Sequence, residues 1–227
     1  MSKFVSIAID GPAGAGKSTM ARAIAKELGY VYVDTGAIYR SVGYYVDICG
    51  IGPKDVDGVT RLIDDVNIAI DYDADGKQIM MLNGKDITDE IRTPKMSDYA
   101  SKLSALKVVR DYLLEVQRDI ARTHNVVMDG RDIGTVVLPN ADVKIYLTAS
   151  AEVRAQRRLD EFKAKGDKNS SLDSVLQDIQ QRDERDMNRA IAPLKQAPDA
   201  VLLDTSELTI DQAVECMMTI ISERMRG

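Results

Sequence analysis

The segment at 11–18, which reads GPAGAGKS, constrains the fold of this chain more than any other stretch. It follows the pattern G-x-x-x-x-G-K-[ST] of a phosphate-binding loop, whose backbone N–H groups surround a polyphosphate. The apolar run at 4–9 before it predicts a buried parallel strand, and the pattern at 17–28 after it predicts a helix. We therefore expect a strand–loop–helix unit in which Lys17 approaches the terminal phosphates and the Ser18 hydroxyl can bind Mg²⁺.

Short apolar segments alternate with amphipathic helical patterns over the rest of the chain, which is typical of βαβ units and a parallel sheet. The candidate core strands are 4–9, 31–33, 126–128, 143–147 and 201–203. Asp10, Asp34 and Asp129 stand at or just after the carboxyl ends of three of them. Ligands of open α/β sheets bind at that edge, so these aspartates are site candidates. Asp129 is also a candidate Mg²⁺ ligand, directly or through water.

Two regions interrupt the alternation of strands and helices. Between 67 and 84, short apolar runs separated by Asp75-Gly76 and Asn83-Gly84 predict a small antiparallel sheet with tight turns. Between 151 and 190, two charged helical patterns flank the polar stretch 165–170, which is typical of a lid. A chain of 227 residues accommodates one α/β domain with both insertions.

Individual arginines are candidate phosphate ligands, and each has a structural alternative. Arg131 follows Asp129 at the sheet edge, where its planar guanidinium group suits a phosphate. An ion pair between Arg131 and Asp132 is the alternative. Arg40 lies one helical turn beyond Gly36 and could face either solvent or a second phosphate.

Two groups of arginines recur at helical spacing in the lid region, and each group is expected to share one helix face. The groups are Arg154, Arg157 and Arg158, and Arg182, Arg185 and Arg189. Interleaved acids leave a salt-bridged, solvated helix as the alternative, but two such faces around a lid favour a polyphosphate ligand. Thr35 likewise has two interpretations, as a ligand of a substrate hydroxyl or as the cap of the next helix.

Composition argues against several classes of protein. The formal net charge of −6 disfavours a protein that grips a nucleic acid duplex. Cys49 and Cys216 lack neighbours at metal-binding spacing, which predicts free thiols in a reducing compartment. The single histidine, His124, is expected at a helix end rather than in catalysis. No apolar run reaches membrane-spanning length, so we expect a cytoplasmic protein, and we expect a monomer.

Four segments stand out when they are taken together: GPAGAGKS at 11–18, DTGAIYR at 34–40, DGRDIGTVV at 129–137 and RDERDMNRAIAPL at 182–194. In this combination they resemble the bacterial cytidylate kinases. The phosphate loop alone marks a superfamily, whereas the other three segments in this order are much more specific, and the similarity spans nearly the whole chain. The resemblance implies an α/β protein of the P-loop kinase fold, with a five-stranded parallel sheet between helices. It also implies that ATP and Mg²⁺ are used to phosphorylate CMP or dCMP, giving CDP or dCDP.

The resemblance further implies a division of the single domain into three parts. These are a core at about 1–35, 103–150 and 191–227, a part at about 36–102 that binds the nucleoside monophosphate and contains the small antiparallel sheet, and a helical lid at about 151–190. The residues implied to bind ATP are Gly11, Pro12, Ala13, Gly14, Ala15, Gly16, Lys17, Ser18, Thr19 and Arg157. The residues implied to bind CMP are Thr35, Arg40, Ser101, Arg110, Arg131, Asp132, Arg182, Asp186 and Arg189.

Within this set the resemblance assigns individual roles. It implies that Arg40 and Arg131 bind the CMP phosphate and that Ser101, Arg110 and Asp132 bind the cytosine. It implies that Thr35 and Asp186 contact the sugar, with Arg182 nearby. Arg189 bridges phosphate and base. The residues implied in catalysis are Lys17, Arg131, Asp132 and Arg189, and those implied in metal binding are Ser18 and Asp129.

Other functions stay open at the level of the sequence. Another small-molecule kinase of the same fold, such as a shikimate, gluconate or other nucleoside monophosphate kinase, shares the phosphate loop but not DTGAIYR or the insertion before residue 100. A GTPase-like switch needs the guanine-reading pattern Asn-Lys-x-Asp, whereas Asn83-Gly84-Lys85-Asp86 has the wrong order. Nucleic acid binding is the third alternative, and the negative net charge argues against it.

Overall fold

The computed structural model describes residues 4–74, 76–164 and 166–226. Its strands are β1 (Ser6–Asp10), β2 (Val31–Asp34), β3 (Ile68–Tyr72), β4 (Gln78–Leu82), β5 (Lys85–Asp86), β6 (Val126–Gly130), β7 (Val143–Thr148) and β8 (Val201–Asp204). Its α-helices are α1 (Lys17–Leu28), α2 (Thr35–Ile48), α3 (Val56–Leu62), α4 (Pro94–Leu103), α5 (Lys107–Thr123), α6 (Ala151–Ala164), α7 (Leu172–Asn188) and α8 (Ile210–Arg226).

Five of the strands form the predicted parallel sheet, in the order β2-β6-β1-β7-β8. Its register places Asp34 beside Asp129 and Asp10 beside Gly130, so the three candidate aspartates share one edge. Asp10 and Asp34 are the last residues of their strands, and Asp129 is the last but one of β6. The predicted strand ends are therefore one or two residues short, because the hydrogen-bond ladder continues through the aspartates.

Both faces of this sheet are covered by helices, which explains why its strands are almost continuously apolar. On one face, Ile24 of α1 and Met217 of α8 pack in a core with Ile7 of β1. On the other face, Ile38 of α2 and Leu113 of α5 belong to a second core. The cleft at the sheet edge therefore rests on two well-packed layers.

The predicted antiparallel unit is also present, as a three-stranded sheet in the order β3-β4-β5. Asp75, in the first predicted turn, lies outside the described residues. The second predicted turn is found at Asn83 and Gly84, which have positive φ values of 49° and 80°. The Tyr72 hydroxyl donates to the backbone oxygen of Tyr32 at 3.0 Å, and this bond attaches the small sheet to the edge strand β2.

Helices α6 and α7 form a hairpin in the region predicted to be a lid. The hairpin has a small apolar core of its own, made of Ala155, Leu159, Val175 and Ile179. Helix α7 begins with a capping box between Ser171 and Ser174. Lys165, in the predicted polar stretch, lies outside the described residues. This region is thus a two-helix unit with its own packing, and its action as a lid stays a prediction.

The two cysteines and the single histidine agree with what the sequence predicts. Cys49 and Cys216 are both free thiols. His124 caps the carboxyl end of α5 and is exposed, as expected of a helix-end histidine. Within 4–74, 76–164 and 166–226, no helix combines the length and the apolar character that crossing a bilayer requires.

Candidate active site

The phosphate-binding loop connects the carboxyl end of β1 to the first turn of α1, as its sequence predicts. Two of its glycines are required by geometry. A Cβ atom at Gly11 would lie 1.9 Å from the backbone oxygen of Leu147 on β7. Gly16 caps α1 with a φ of 86°, a left-handed conformation that favours glycine. The loop therefore brings its backbone N–H groups to the positive end of the α1 dipole, where an anion binds best.

Lys17 is the first residue of α1, and its side chain is buried beside the loop. Its ammonium group donates to the backbone oxygen of Pro12 at 2.7 Å, which holds the side chain across the loop. Burial, followed by the charge of Arg131, lowers the pKa of Lys17 below its ordinary value. An anionic group bound between Lys17 and Arg131 would relieve their repulsion, so this arrangement suits a phosphate.

Asp129 is buried near the end of β6 and is surrounded by hydroxyl groups. Ser18 and Tyr32 each donate to its carboxylate at 2.9 Å, and Thr35 donates to its backbone oxygen at 2.7 Å. Burial, followed by the charge of Asp34, raises the pKa of Asp129 to about 6. The carboxylate and the Ser18 hydroxyl are oxygen donors of the kind that Mg²⁺ prefers.

The start of α2 decides one of the two interpretations of Thr35, that of a helix cap. The cap of α2 is Asp34, whose side chain accepts from the N–H of Ala37 at 2.9 Å, so the prediction of a Thr35 cap was wrong. Asp34 also pairs with Arg40 at 2.9 Å. Arg40 lines the cleft rather than facing bulk solvent, and its Nε is buried without a partner in the part of the chain that the structure describes.

A cleft of about 410 Å³ opens between the phosphate loop, the antiparallel insertion with α4, and the hairpin. The predicted site residues that line it are Ala13, Gly14, Gly16, Lys17, Ser18, Thr19, Thr35, Arg40, Ser101, Asp129, Arg131, Asp132, Arg182, Asp186 and Arg189. The predicted site residues outside its lining are Gly11, Pro12, Ala15, Arg110 and Arg157. The tertiary structure therefore brings most of the predicted set together from segments that are far apart in the chain.

Asp132 is buried in the cleft wall and binds two arginines. Arg110 of α5 donates to one carboxylate oxygen, and Arg189 donates to the other at 3.0 Å. Both guanidinium groups also donate to Ser104. Arg110 donates to the backbone oxygen of Ser104 at 3.3 Å, and Arg189 donates to the Ser104 hydroxyl at 3.2 Å. Arg110 thus lies behind Asp132 and supports it. We name Asp132, Arg110, Arg189 and Ser104 the Asp132 cluster.

The hydroxyl of Ser101 lies one helical turn before Ser104. It is buried and has no hydrogen-bond partner among the residues that the structure describes. Because Ser101 also lines the cleft, its unpartnered hydroxyl is available to a ligand.

Asp186 of α7 is the centre of a second group of charges. Arg131 donates through Nε to its carboxylate at 2.9 Å, so the alternative pairing of Arg131 with Asp132 is wrong. The Nε of Arg182 stands 4.0 Å from the same carboxylate and, within the described residues, is buried without a hydrogen-bond partner. We name Asp186, Arg131 and Arg182 the Asp186 cluster.

The charges in the Asp186 cluster shift the pKa values of its members. Burial, followed by the charge of Arg131, lowers the pKa of Arg182 to about 9. Burial alone would raise the pKa of Asp186, but the charges of Arg131 and Arg182 outweigh it and hold that pKa below its ordinary value. The cluster has one more guanidinium group than it has carboxylates, and its surplus charge lies in the cleft.

The two arginine groups of the hairpin do not act as single faces, so that prediction was wrong. Arg158 lines the cleft, with its guanidinium carbon 5.1 Å from the centre of the Phe162 ring. Arg157 turns away and donates to the backbone oxygen of Thr205 at 2.7 Å. Arg189 lies just beyond the last residue of α7. Neighbouring positions on one helix therefore lead to different partners.

The remaining members of the two groups also diverge. Arg154 is buried against the phosphate loop and pairs with Asp183. Arg185 lies at the surface, 3.4 Å from Asp98 of α4. The salt-bridge alternative therefore holds for Arg185, whereas Arg182 is a cleft residue.

Sequence reasoning gave no role in the site to several polar residues that line the cleft. They are Arg22, Tyr32, Tyr39, Lys77, Gln78, Arg92 and Ser104. Ser104 follows Ser101 at helical spacing, and that spacing could have revealed it. Tyr32 offered no such signal, because its partner Asp129 is 97 residues away.

Comparison with known proteins identifies the family of this chain. A family model described as cytidylate kinase matches residues 7–223. The chain belongs to the cytidylate kinase family. A relative named cytidylate kinase from Carboxydothermus hydrogenoformans is 49% identical, over 96% of this chain and 97% of that protein. Another from Caldicellulosiruptor saccharolyticus is 46% identical, over 96% of each chain.

Similarity to solved structures supports the fold. An uncharacterized protein from Eubacterium ventriosum has a TM-score of 0.52 to this chain at 10% identity, covering 96% of this chain and 98% of the other. The cytidylate kinase match extends across β3–β5 and across α6 and α7. The small sheet and the hairpin therefore belong to the family fold and are not added domains.

Proposed function

We propose that this cytidylate kinase family member transfers the γ-phosphoryl group of ATP to CMP or dCMP, giving ADP and CDP or dCDP. The observation that carries the proposal is the meeting of the phosphate-binding loop and the Asp186 cluster in one cleft. The loop offers backbone N–H groups and Lys17 to one polyphosphate, and the cluster offers surplus guanidinium charge to a second phosphate. Bringing two anions together in this way is most of what phosphoryl transfer requires from a protein.

The donor side of the cleft is the phosphate-binding loop. We assign the β- and γ-phosphates of ATP to the backbone N–H groups of the loop and to Lys17 and Thr19. Lys17 is held across the loop by its bond to Pro12, so its charge is already in position before ATP binds. Arg157 lies outside the lining and donates to the backbone oxygen of Thr205, so it would have to leave that partner to contact ATP.

The acceptor phosphate is assigned to Arg40, Arg131 and Arg182. The unpartnered Nε atoms of Arg40 and Arg182 provide donors for its oxygens. A phosphate monoester is largely ionised at neutral pH, with a second pKa of about 6, so no strong base has to remove a proton. We therefore assign Asp132 to binding rather than to proton transfer.

The base and the sugar of CMP are assigned to the other end of the cleft. The Asp132 cluster presents a fixed carboxylate and fixed guanidinium donors, and Ser101 adds an unpartnered hydroxyl. Cytosine carries an exocyclic amino donor next to ring and carbonyl acceptors, which such a mixture can match. Thr35 and Asp186 are assigned to the sugar, and Arg189 to the boundary between base and phosphate.

Ser18 and Asp129 would hold Mg²⁺, and their hydroxyl and carboxylate oxygens fit that ion. No group of three or more His, Cys, Asp or Glu side chains in the described ranges is arranged for a metal. The remaining ligands would therefore be phosphate oxygens and water. When bound, Mg²⁺ neutralises charge on the phosphate oxygens of the donor.

The hairpin of α6 and α7 is assigned the role of a lid over this cleft, and 36–102 that of the part that binds CMP. Closure would exclude water and so limit hydrolysis of ATP. We also infer that the enzyme works as a cytoplasmic monomer without nucleic acid or membrane partners, since one chain supplies every residue of the proposed site. Size-exclusion chromatography with light scattering tests the monomer.

The experiment that tests the proposed function measures ADP release with ATP and Mg²⁺ over a panel of acceptors. The panel contains CMP, dCMP, UMP, AMP and shikimate. We expect kcat/KM for CMP or dCMP to exceed the other values by at least about 10²-fold. Lys17→Ala is the control for the site, and it should lower kcat about 10³-fold because the charge at the transferred group is lost.

Two outcomes would contradict the proposal. One is turnover of AMP, UMP or shikimate with none of CMP and dCMP, which would indicate a different small-molecule kinase. The other is slow hydrolysis of GTP that no acceptor accelerates, which would indicate a nucleotide switch.

A further inference from the structure

The hairpin is bonded directly to the phosphate-binding loop, and both bonds go to the backbone of one residue. The N–H of Ala13 donates to the Asp183 carboxylate at 3.2 Å. The backbone oxygen of Ala13 accepts from Arg154 at 2.9 Å. Arg154 and Asp183 also form an ion pair with each other. Ala13 is therefore held by a closed ring of three groups, one from the loop and one from each helix of the hairpin.

A glycine at residue 14 suits the close approach of the loop and the hairpin. A Cβ atom at Gly14 would lie 3.2 Å from the Cβ and 3.3 Å from the backbone oxygen of Arg154. Gly14 also has a φ of 75°, in the left-handed region. A side chain at this position would therefore strain the loop backbone and require Arg154 to shift slightly.

The ion pair lies at the base of the hairpin. Arg154 is in the first turn of α6, and Asp183 is in the last turns of α7. Arg154 is fixed to the sheet side as well, since it donates to the backbone oxygen of Ala149 at 2.9 Å. The opposite end of the hairpin is thus free of these bonds, as a lid that pivots at its base requires.

Both members of the pair stand next to an arginine of the cleft. Arg158 is one helical turn beyond Arg154, and Arg182 directly precedes Asp183. Any shift of the pair relative to Ala13 therefore changes the distance between the phosphate loop and these two arginines. A change of about 1 Å in such a distance is enough to slow a transfer reaction severely.

We propose that Arg154 and Asp183 are positioning residues that fasten the phosphate-binding loop to the base of the hairpin and so set the distance from the loop to Arg158 and Arg182. Neither residue lines the cleft, so both act through other groups. The proposal rests on the kinase function proposed above, but the fastening itself is a property of the free protein. It predicts that loss of the pair affects the ATP side and the transfer step more than the binding of CMP.

The test uses Arg154→Met, Arg154→Lys and Asp183→Asn in the full chain. For Arg154→Met we expect kcat to fall roughly 10-fold to 100-fold and KM for ATP to rise. KM for CMP should rise less than KM for ATP, because Arg40 and Arg131, two of the three residues assigned to the acceptor phosphate, do not lie on the hairpin. Arg154→Lys keeps a cation that can reach both partners and should recover most of kcat. Asp183→Asn keeps the shape of the side chain but removes the charge that pairs with Arg154, so it tests the same fastening if Arg154→Met does not fold.

Hydrogen exchange of the peptide that covers 10–20 gives a readout without turnover. We expect the Ala13 segment to exchange at least about tenfold faster in Arg154→Met and Asp183→Asn, with no change in β3–β5. Arg185→Met is the matched control, because it removes an ion pair from the same helix α7 without touching the loop. Its kinetic constants and loop exchange should equal those of the wild type.

The outcomes separate the two proposals. The fastening is refuted if the variants lose stability while kcat and exchange at 10–20 stay unchanged, or if Arg185→Met has the same effects. It is also refuted if KM for CMP rises as much as KM for ATP. Absence of CMP turnover in the wild type would instead overturn the proposed function, and faster exchange of the loop in the variants would still support the fastening.

Discussion

Asp132 and Asp186 lie in the same cleft, but they are neutralised in different ways. Asp132 has a guanidinium group on each carboxylate oxygen, from Arg110 and Arg189. Asp186 binds Arg131 at 2.9 Å, while Arg182 stands 4.0 Å away and, in the described residues, keeps a buried Nε without a partner. The first cluster is satisfied within the protein, whereas the Nε of Arg182 in the second is available to a ligand.

This difference indicates which part of a nucleotide each cluster suits. A phosphate brings several anionic oxygens, which the free donors near Asp186 can bind. A neutral base needs donors and acceptors in fixed places rather than surplus charge, and a satisfied buried network provides them. The Asp186 cluster is therefore costly in the free protein and useful in the complex, while the Asp132 cluster supports the fold in both states.

Arg131→Ala gives the largest expected effect, because Arg131 is assigned to the acceptor phosphate and its charge acts more strongly on Lys17 than that of Arg182 does. We expect kcat/KM for CMP to fall about 10³-fold, within the range known for arginines at such groups. Arg131→Lys should recover less than about tenfold of this loss, since an ammonium group lacks the planar fork. Steady-state kinetics with CMP varied at saturating ATP measures both. Near-normal values of kcat and KM in Arg131→Ala would contradict the proposal that the Asp186 cluster binds a phosphate.

Asp132→Asn tests the other side of the comparison. It leaves the buried Arg110 without its carboxylate partner, so the free energy of unfolding should fall by roughly 3 kcal/mol. The ratio of kcat/KM for CMP to that for UMP should fall about tenfold, with KM for ATP unchanged. Urea unfolding and paired kinetics measure these effects. Asp98→Asn, which removes an exposed carboxylate, is the control and should cost less than about 1 kcal/mol. An equal loss in both variants would mean that the Asp132 cluster is no more than a surface pair.

Arg182→Met should separate stability from activity. The free energy of unfolding of the free protein should rise by on the order of 1 kcal/mol. The substitution removes a cation whose Nε is buried without a hydrogen-bond partner among the described residues. Activity should fall at the same time, since a donor for the acceptor phosphate is lost. Thermal unfolding with and without inorganic phosphate measures the first effect, and phosphate should stabilise the wild type more than the variant. A lower melting temperature for the variant in the absence of phosphate would contradict the idea of surplus charge.

Asp10 extends the comparison to a carboxylate held by backbone groups. It accepts from the N–H groups of Ile133 and Gly134 at 2.7 Å, and burial is the main reason that its pKa is raised to about 6. The folded state therefore binds this proton at pH values where the unfolded state, with an ordinary pKa of 3.8, does not. The contribution of Asp10 to the free energy of unfolding therefore rises by roughly 1 kcal/mol as the pH falls from 7.5 towards 5. Urea unfolding at both pH values should show this gain in the wild type relative to Asp10→Asn. Equal pH dependence in the two proteins would refute it.

Much of the site could be predicted because residues close together in the sequence specify the conformation of its backbone. The pattern at 11–18 and the apolar run before it specify a strand, a turn and a helix, and α1 has the predicted bounds of 17–28. The five core strands and the small antiparallel sheet also follow the prediction. Arg131 and Arg182 were candidate phosphate ligands from their positions in the chain, and the resemblance added their individual roles at CMP. Those roles stay predictions.

The sequence by itself determined where the phosphate loop, the five core strands and both insertions lie, because each depends on the order of apolar, glycine and polar residues over short distances. Only the tertiary structure decided the partners of the charges. Arg154, Arg157 and Arg158 are neighbours on α6, yet they reach the phosphate loop, the Thr205 loop and the cleft. A helix turns successive side chains in different directions, so neighbouring residues contact different parts of the molecule. Other partners meet only because the sheet, the insertion and the hairpin pack together, as do Arg131 and Asp186, which are 55 residues apart in the chain.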